Sequence, residues 1–578
     1  MADKPTFSTV DIITQLTTSW GGSITGYTWS WPSSMKTISY SINTTTPTNI
    51  TDHPITAGGV YLVKMDALQV ATAQLSFQLW DDLIAKSPGS QHRLVQNASP
   101  AANITLDYTS EPADATYTDA SGTLNTAGKT FTLSAGQVWL SSLWPSNGDS
   151  GMKLGGYGLE TMIHEIGHAL GLSHPGTYDA GNGGTITYDN SAVFNQDNRK
   201  YTIMSYFGGY LPGSGWQKDG TYLSYLYPQT PMVYDIAAIQ DKYGADTVTR
   251  TGNTTYGFHC NLAWYDPEKI IYDFNTNHTP IFTIWDAGGT DTLDGSGYSG
   301  NQTINLTPGS YSSVDGMIEN VAIAFNCFIE IGIGGAGNDT LIAIGNNTLT
   351  GGNGADTFKI TAGTNTISDL GVGADVIIVS SGATVKAVVS GDFKATSATV
   401  NNGSASLDAN GHDVNLALAG GVNGWIVTNS SSRGVALVGS SQNDSLIGGK
   451  GNDTISGGGG NDTLTGGGGH DKFVFTAAPD ASKNHDIITD FDHSTDVLQF
   501  SKAVFASITN WKADEFWSHA GATAGHDGLD RIIYDTTTGN IYYDPDGSGI
   551  DPAVLVVTLV GTTSHHPVLT YTDIQLVA

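Results

Sequence analysis

Asp444, Asp453, Asp462 and Asp471 stand nine residues apart, each at the sixth place of a contiguous block. The blocks read GSSQNDSLI from Gly439, GGKGNDTIS (Gly448–Ser456), GGGGNDTLT (Gly457–Thr465) and GGGGHDKFV (Gly466–Val474). Two further copies, GGAGNDTLI (Gly334–Ile342) and GGNGADTFK (Gly351–Lys359), flank a degraded one, AIGNNTLT. Glycine permits a tight turn and exposes backbone carbonyls, aspartate adds a carboxylate, and the apolar eighth residue points inward. Two such nonapeptides complete one coil of a parallel β-roll, whose stacked loops hold Ca²⁺ between them. A glycine-rich linker would not keep an aspartate in fixed phase with an apolar residue two places on. The expected calcium ligands are Gly335, Gly337, Asp339, Gly352, Gly354, Asp356, Asp444, Gly449, Gly451, Asp453, Gly458, Gly460, Asp462, Gly467, Gly469 and Asp471.

The 578 residues exceed one compact core, so several domains are expected. The net charge of −31 comes from 23 Lys and Arg set against 54 Asp and Glu, which speaks against nucleic acid as a partner. Cys260 and Cys327 are the only cysteines, too few for a disulfide framework, although one bridge between them stays open. No apolar run approaches the roughly 18 residues of a transmembrane helix. The start, MADKPTFSTVDIITQ, lacks the basic and apolar regions of a secretory leader.

Between Ile38 and Gln240 strand-like and helix-like patterns mix. TISYSI (Thr37–Ile42) and ITLDY (Ile104–Tyr108) alternate as half-buried strands, whereas Leu68, Ala71, Leu75, Leu79 and Leu83 recur at helical spacing. This predicts an α+β domain. Past Arg250 the helical pattern fades and turn residues recur every few positions, which predicts an all-β region. Residues 360–438, rich in Val, Ala, Ser, Thr and Asn, read either as an inserted β-domain or as a continuing solenoid without calcium.

One stretch concentrates chemistry: TMIHEIGHALGLSHPG (Thr161–Gly176). Leu159, Met162, Ile163, Ile166, Ala169 and Leu170 form the apolar face of a helix on which His164 and His168 lie at i and i+4. Both imidazoles then project from one side, as two ligands of a tetrahedral Zn²⁺ must. Glu165 leans beside the metal and can take a proton from metal-bound water, whose pKa zinc lowers toward about 7. Gly171 can adopt positive φ, end the helix and bring His174 back as third ligand. HExxHxxGxxH fixes five identities in eleven positions, far more than a bare HExxH.

Downstream, YTIMSYF (Tyr201–Phe207) fits the Met-turn of metzincins, with Met204 as an apolar floor under the metal. With Pro175 after His174 and M-S-Y in the Met-turn, the chain resembles the serralysins, bacterial zinc endopeptidases exported by type I secretion. YDIAAIQDKYGAD (Tyr234–Asp246), TRTGNTTYGF (Thr249–Phe258) and WDAGGTDTLDGSGY (Trp285–Tyr298) resemble the serralysin junction between protease and roll. About three-quarters of the chain is covered, the departures being 360–438 and the broken first repeat block.

The resemblance implies a metzincin protease domain of α+β fold followed by an all-β parallel β-roll (RTX) domain. It divides the chain into a removable pro-segment at 1–18, the protease at 19–248, a junction with the first roll block at 249–359, the insertion at 360–438, and the second block with the secretion-signal region at 439–578. It makes Tyr206 a displaceable zinc ligand that stabilises the oxyanion, consistent with a phenolic donor aimed at developing charge. At the junction it assigns calcium to Arg250, Gly252, Thr254, Asp286, Gly288, Gly289 and Asp291, and Glu330 completes a neighbouring site. NIYYDPDGSG (Asn540–Gly549) and the final DIQLVA resemble the uncleaved C-terminal export signal.

The expected function is thus hydrolysis of proteins or peptides by a secreted, extracellular, monomeric enzyme with one catalytic Zn²⁺ and several structural Ca²⁺. Its further partner is the type I secretion machinery. Extracellular calcium modules bind near 10⁻⁴ to 10⁻³ M, on the order that keeps such a roll unfolded in the cytosol and folded outside. The substrate peptide is expected along an edge strand, with VWLSSL (Val138–Leu143) as the candidate. Two other readings are a surface or S-layer-associated calcium protein with an inert protease scaffold, and a narrow processing protease for one surface protein.

Overall fold

The computed structural model describes residues 4–20, 25–44, 63–86, 93–97, 101–109, 117–142, 151–178, 185–208, 216–223, 225–561 and 566–578. The chain divides into a first unit, reaching to Tyr298 and including Gln302–Ile331, and a second made of Ser299–Asn301 and Gly332–Ala578.

The first unit is built on a sheet with the strands β1 (Thr28–Ser30), β2 (Ile38–Ile42), β3 (Leu94–Gln96), β4 (Ile104–Thr109), β5 (Tyr117–Asn125) and β6 (Thr130–Ser141). Five run parallel in the order β1-β6-β4-β2-β3, and β5 lies antiparallel along β6. Among the described residues β5 pairs with β6 alone, so β5 is the edge. This corrects the expectation for VWLSSL: Val138 and Trp139 pair with Leu106 and Asp107 of β4 on one side and with Thr118 and Tyr117 of β5 on the other, so they present no free edge, and Leu143 lies outside the described residues. The sequence of β5, YTDASGTLN, is poor in large apolar residues and does not alternate, so it gave no strand signal of its own.

Four helices cover this sheet region: α1 (Thr9–Thr18), α2 (Ala67–Asp81), α3 (Tyr157–Ala169) and α4 (Val233–Tyr243). The expected helix over Leu68–Leu83 is α2, but its buried face is Thr72, Ala73, Leu75, Ser76, Phe77, Leu79 and Trp80, whereas Leu68 is exposed. Both Ser76 and Thr72 are tolerated there because their hydroxyls bond back to carbonyls one turn earlier. Helix α3 is buried on nearly all sides. Its exposed-end carbonyls are satisfied from other elements: the Trp31 indole donates to Ala169 O (3.0 Å) and the Tyr243 hydroxyl to Leu170 O (2.7 Å). From α2, the Trp80 indole donates to Ile163 O at 3.0 Å.

The stretch read as a pro-segment contains α1. Ser8 and Asp11 close a capping box at its start, Ile12 and Leu16 are fully buried, and Ser173 just before His174 donates from its backbone to Leu16 O at 2.7 Å.

The second unit is mostly β. Its strands stack in parallel ladders, consistent with an RTX β-roll, and the segment 360–438 belongs to the same ladders as the repeats on either side. Thr364 faces Thr384, Thr384 faces Ser404 and Ala405 faces Trp425, a coil of 20 residues. Ser445 then faces Thr463, and Thr454 faces Lys472, the 18-residue coil that two nonapeptides require. The segment is therefore a continuing solenoid. Its core is apolar, with Val385, Leu407, Trp425 and Leu437 at 1% exposure or less. The last strand, Ile574–Val577, pairs in parallel with Val497–Ser501. No helix among the described residues is long and apolar enough to cross a membrane.

Candidate metal centre

Helix α3 carries His164, Glu165 and His168, and Gly171 at φ +94° turns the chain so that His174 folds back over it. A Cβ at Gly171 would lie 2.5 Å from the carbonyl oxygen of Trp29, so glycine is required there for space as well as for conformation. The Nε2 atom of His174 lies 3.1 Å from that of His168 and 3.3 Å from that of His164. Each ring turns its other nitrogen to a backbone carbonyl: His164 Nδ1 to Ile203 O (2.9 Å), His168 Nδ1 to Leu172 O (2.7 Å) and His174 Nδ1 to Tyr178 O (2.9 Å). A carbonyl only accepts, so each Nδ1 carries the proton and each Nε2 presents a lone pair. Three lone pairs meeting at such distances repel one another unless a cation sits among them. Burial and the neighbouring rings also lower the pKa of His164 and His174 well below the usual imidazole value, which keeps them in the neutral ligand form. The donor set, three nitrogens with carbonyl-anchored tautomers, fits Zn²⁺.

The Met-turn lies against this helix. Met204 is fully buried, and its sulfur would stand 2.8 Å from a Cβ added to Gly167, between His164 and His168 in sequence. Asp235, at the start of α4, accepts the hydroxyl of Thr202 (2.5 Å) and the amides of Ile203 (2.7 Å) and Met232 (2.8 Å). It thereby fixes the segment whose Ile203 carbonyl orients His164. Burial pushes its carboxyl up to about 7. The ring of Tyr206 packs on His174 at 4.4 Å between centroids. Arg199 donates to Tyr206 O at 2.9 Å while pairing with Glu160 of α3 at 2.6 Å. Asp197 accepts both Tyr178 OH (2.7 Å) and Ser205 Oγ (2.8 Å), and burial pushes it up to about 7. Glu165 is 7% exposed and accepts the hydroxyl of Thr118.

At the junction, Asp286 accepts Tyr256 OH and the amide of Gly288, Asp291 accepts the amide of Thr254 and donates its own to Glu330, and Gly289 abuts the carbonyl of Gly252. The second carboxylate oxygen of Asp291 is buried without a hydrogen-bond partner, and burial followed by Asp286 and Glu330 pushes this group up to about 7. These expected residues do come together. The guanidinium of Arg250 pairs with Asp82 and Glu268. Cys260 and Cys327 are both free, which answers the open question of a bridge.

In the roll, one carboxylate oxygen of three repeat aspartates accepts the amide of the aspartate one coil earlier: Asp356 from Asp339, Asp462 from Asp444, and Asp471 from Asp453, at 2.7–2.8 Å. The other oxygen of Asp453, Asp462 and Asp471 is buried and unpartnered. Gly352 and Gly354 stack on Gly335 and Gly337, Gly467 and Gly469 on Gly449 and Gly451, while Gly458 and Gly460 stack on Ser440 and Gln442. Stacked carboxylates without counter-charge fit a cation in each loop. Five members were missed by the sequence reading. Asp375, Asp486 and Asp496 extend the ladders, and Asp369 and Asp490 each accept two successive glycine amides of the loop one coil before. Asp375, Asp486 and Asp496 are each followed two places on by Ile377, Ile488 or Leu498, the repeat's own signature without its glycines.

Residues 245–401 match the family described as peptidase M10 serralysin C terminal, and residues 438–473 match four copies of the RTX calcium-binding nonapeptide repeat. The chain is similar to the serralysins. It is 41% identical over 290 residues to Serralysin B of Dickeya chrysanthemi, covering 48% of this chain and 54% of that protein. To Metalloprotease AprA of Pseudomonas entomophila (strain L48) it is 38% identical over 284 residues, 48% of this chain and 53% of that one. To Serralysin of Proteus mirabilis it is 42% identical over 211 residues, 36% and 39% of the two chains. The chain thus spans about half the length of the curated relatives it matches. Calcium is the cation these repeat loops take.

Proposed function

We propose that this chain is a secreted, calcium-stabilised zinc endopeptidase with a metzincin protease domain. The observation that carries the reading is the convergence of three Nε2 lone pairs, at 3.1 and 3.3 Å, with every Nδ1 proton already committed to a carbonyl. His164, His168 and His174 would hold the zinc, with Tyr206 as a displaceable fourth group. When bound, zinc supplies Lewis-acid polarisation of the scissile carbonyl and acidifies water. Glu165 takes the proton of the attacking water on its carboxylate and returns it to the leaving amine. Tyr206, held by Arg199 through its own carbonyl, stands to donate to the oxygen on which negative charge develops. The substrate main chain pairs with edge strand β5, so that the peptide lies extended across the mouth of the site. Any pro-segment ends before α1, because a cut after Thr18 would strip a core helix. Export through a type I machine, with folding driven by external calcium, fits the relatives' family and the acidic loops.

Casein hydrolysis by the purified chain tests this. We expect activity that a zinc chelator abolishes, that added Zn²⁺ restores, and that Glu165→Gln lacks with zinc content unchanged. Hydrolysis persisting in E165Q, or a zinc-loaded wild type inert toward casein and toward a peptide library, would refute it.

A further inference from the structure

Thr118 sits on β5, half-buried, with its side chain directed at α3. Its hydroxyl lies 2.8 Å from Glu165 Oε2 and 2.9 Å from Glu165 O, so one proton spans two acceptors of the same residue. Accepting there commits one carboxylate oxygen of Glu165, Oε2, to the strand. A glutamate on a helix has three rotatable side-chain bonds, and a charge-assisted hydrogen bond of normal length removes most of that freedom. Neither the histidine motif nor the Met-turn supplies this contact. It comes from the edge strand, whose register on β6 places Thr118 opposite Val138.

We propose that Thr118 is a positioning residue for Glu165: its hydroxyl holds the carboxylate toward the three imidazoles and ties the base to the strand on which the substrate main chain aligns. The proposal rests on the base role given to Glu165 above. Reacting geometry is steep in distance, so a base free to rotate away loses turnover while the peptide still binds along β5 through main-chain hydrogen bonds. Substrate binding and base placement thus share one rigid element, and the peptide and carboxylate keep their mutual position without a separate loop to order.

The test uses the full chain loaded with zinc and calcium. Thr118→Val keeps the shape and removes the donor; Thr118→Ser keeps the donor. We expect T118V to lower kcat by about ten- to hundredfold with KM within about twofold of wild type, and T118S to restore most of kcat. Zinc content and melting temperature are measured on each variant. Wild-type kcat in T118V, a change confined to KM, or T118S as slow as T118V would overturn the proposal. Should T118V not fold, Thr118→Ala is judged by the same criteria. E165Q run alongside separates the two claims: activity surviving in E165Q removes the base assignment, whereas an inactive E165Q beside an unimpaired T118V removes only the role of Thr118.

Discussion

Stripping calcium from the roll should expose a pH dependence that the bound ion cancels. In the folded chain burial comes first, then neighbouring carboxylates, in pushing Asp356 from 3.8 up to about 7 and Asp471 up to about 6. The same causes raise Asp462 and Asp486. Because these folded-state values lie above the unfolded one, the metal-free roll binds more protons folded than unfolded across that range. Its stability is therefore fully present near pH 4 and is lost as pH rises through about 6 to 7. At 1.36 kcal/mol per pH unit, the shifts of Asp356 and Asp471 correspond to about 4 and about 3 kcal/mol. Halved for water on the open side of the loops, they sum to about 3 to 4 kcal/mol, a large part of a domain's usual 5 to 15. With calcium bound the carboxylates are held ionised, as they are in the unfolded chain above about pH 5, so this proton-linked loss disappears. Urea midpoints followed by far-ultraviolet circular dichroism, from pH 5 to 8.5, should fall with pH in EGTA and stay level in millimolar calcium. Parallel curves would refute the claim that uncompensated carboxylates are what calcium relieves.

Two further perturbations probe the first unit. Gly167→Ala places a Cβ 2.8 Å from Met204 Sδ and 3.0 Å from Trp80 Cζ2. Overpacking costs about 1–3 kcal/mol, offset by about 1 from helix propensity, so we expect a net loss of about 0–2 kcal/mol with a clear loss of zinc affinity as the floor shifts. A competition titration with a chromogenic chelator checks this, and unchanged affinity counts against Met204 as the support of the site. Deleting residues 1–18 removes the fully buried Ile12 and Leu16, worth about 1.5–3 kcal/mol each. The melting temperature of the truncated chain should therefore fall, and one equal to wild type would show that α1 is dispensable.

The convergence of three imidazoles was legible because their chemistry is local: HExxH places two rings on one helix face, and the glycine at 171 brings in the third within seven residues of His168. The nonapeptides were legible because their period is short. What could not be read were partners joined only by tertiary contact. Asp235 holds the Met-turn from 31 residues beyond Met204, and Thr118 reaches Glu165 from another strand. The edge was misplaced because Val138–Leu140 are apolar enough to suggest a strand, while which strand of a sheet lies outermost depends on the order of pairing. Leu68 misled for a related reason, since helical spacing admits several faces and packing against α3 selected Leu75, Leu79 and Trp80.

The solenoid shows what replaces calcium when the repeat decays. An 18-residue coil turns within loops too short to satisfy their own polar groups, so the second oxygens of Asp453, Asp462 and Asp471 stay unpartnered and need a cation. Through 360–438 facing residues stand 20 apart along one ladder and 20 to 23 apart along the others, and side chains close the longer loops instead. Asn429 accepts the amides of Gly411 and Ser431 and donates to Arg433 O, Ser430 donates to Asp408, and Asn401 donates to Gly424 O. Where the two coil lengths meet, Asp444 and Asp453 accept the amides of Trp425 and Val435, so the first aspartates of the second repeat block also cap the coil before them. The longer coils thus provide by amide and hydroxyl part of what the nonapeptides leave to the ion, while Asp369 and Asp375 at their start still join the carboxylate ladders.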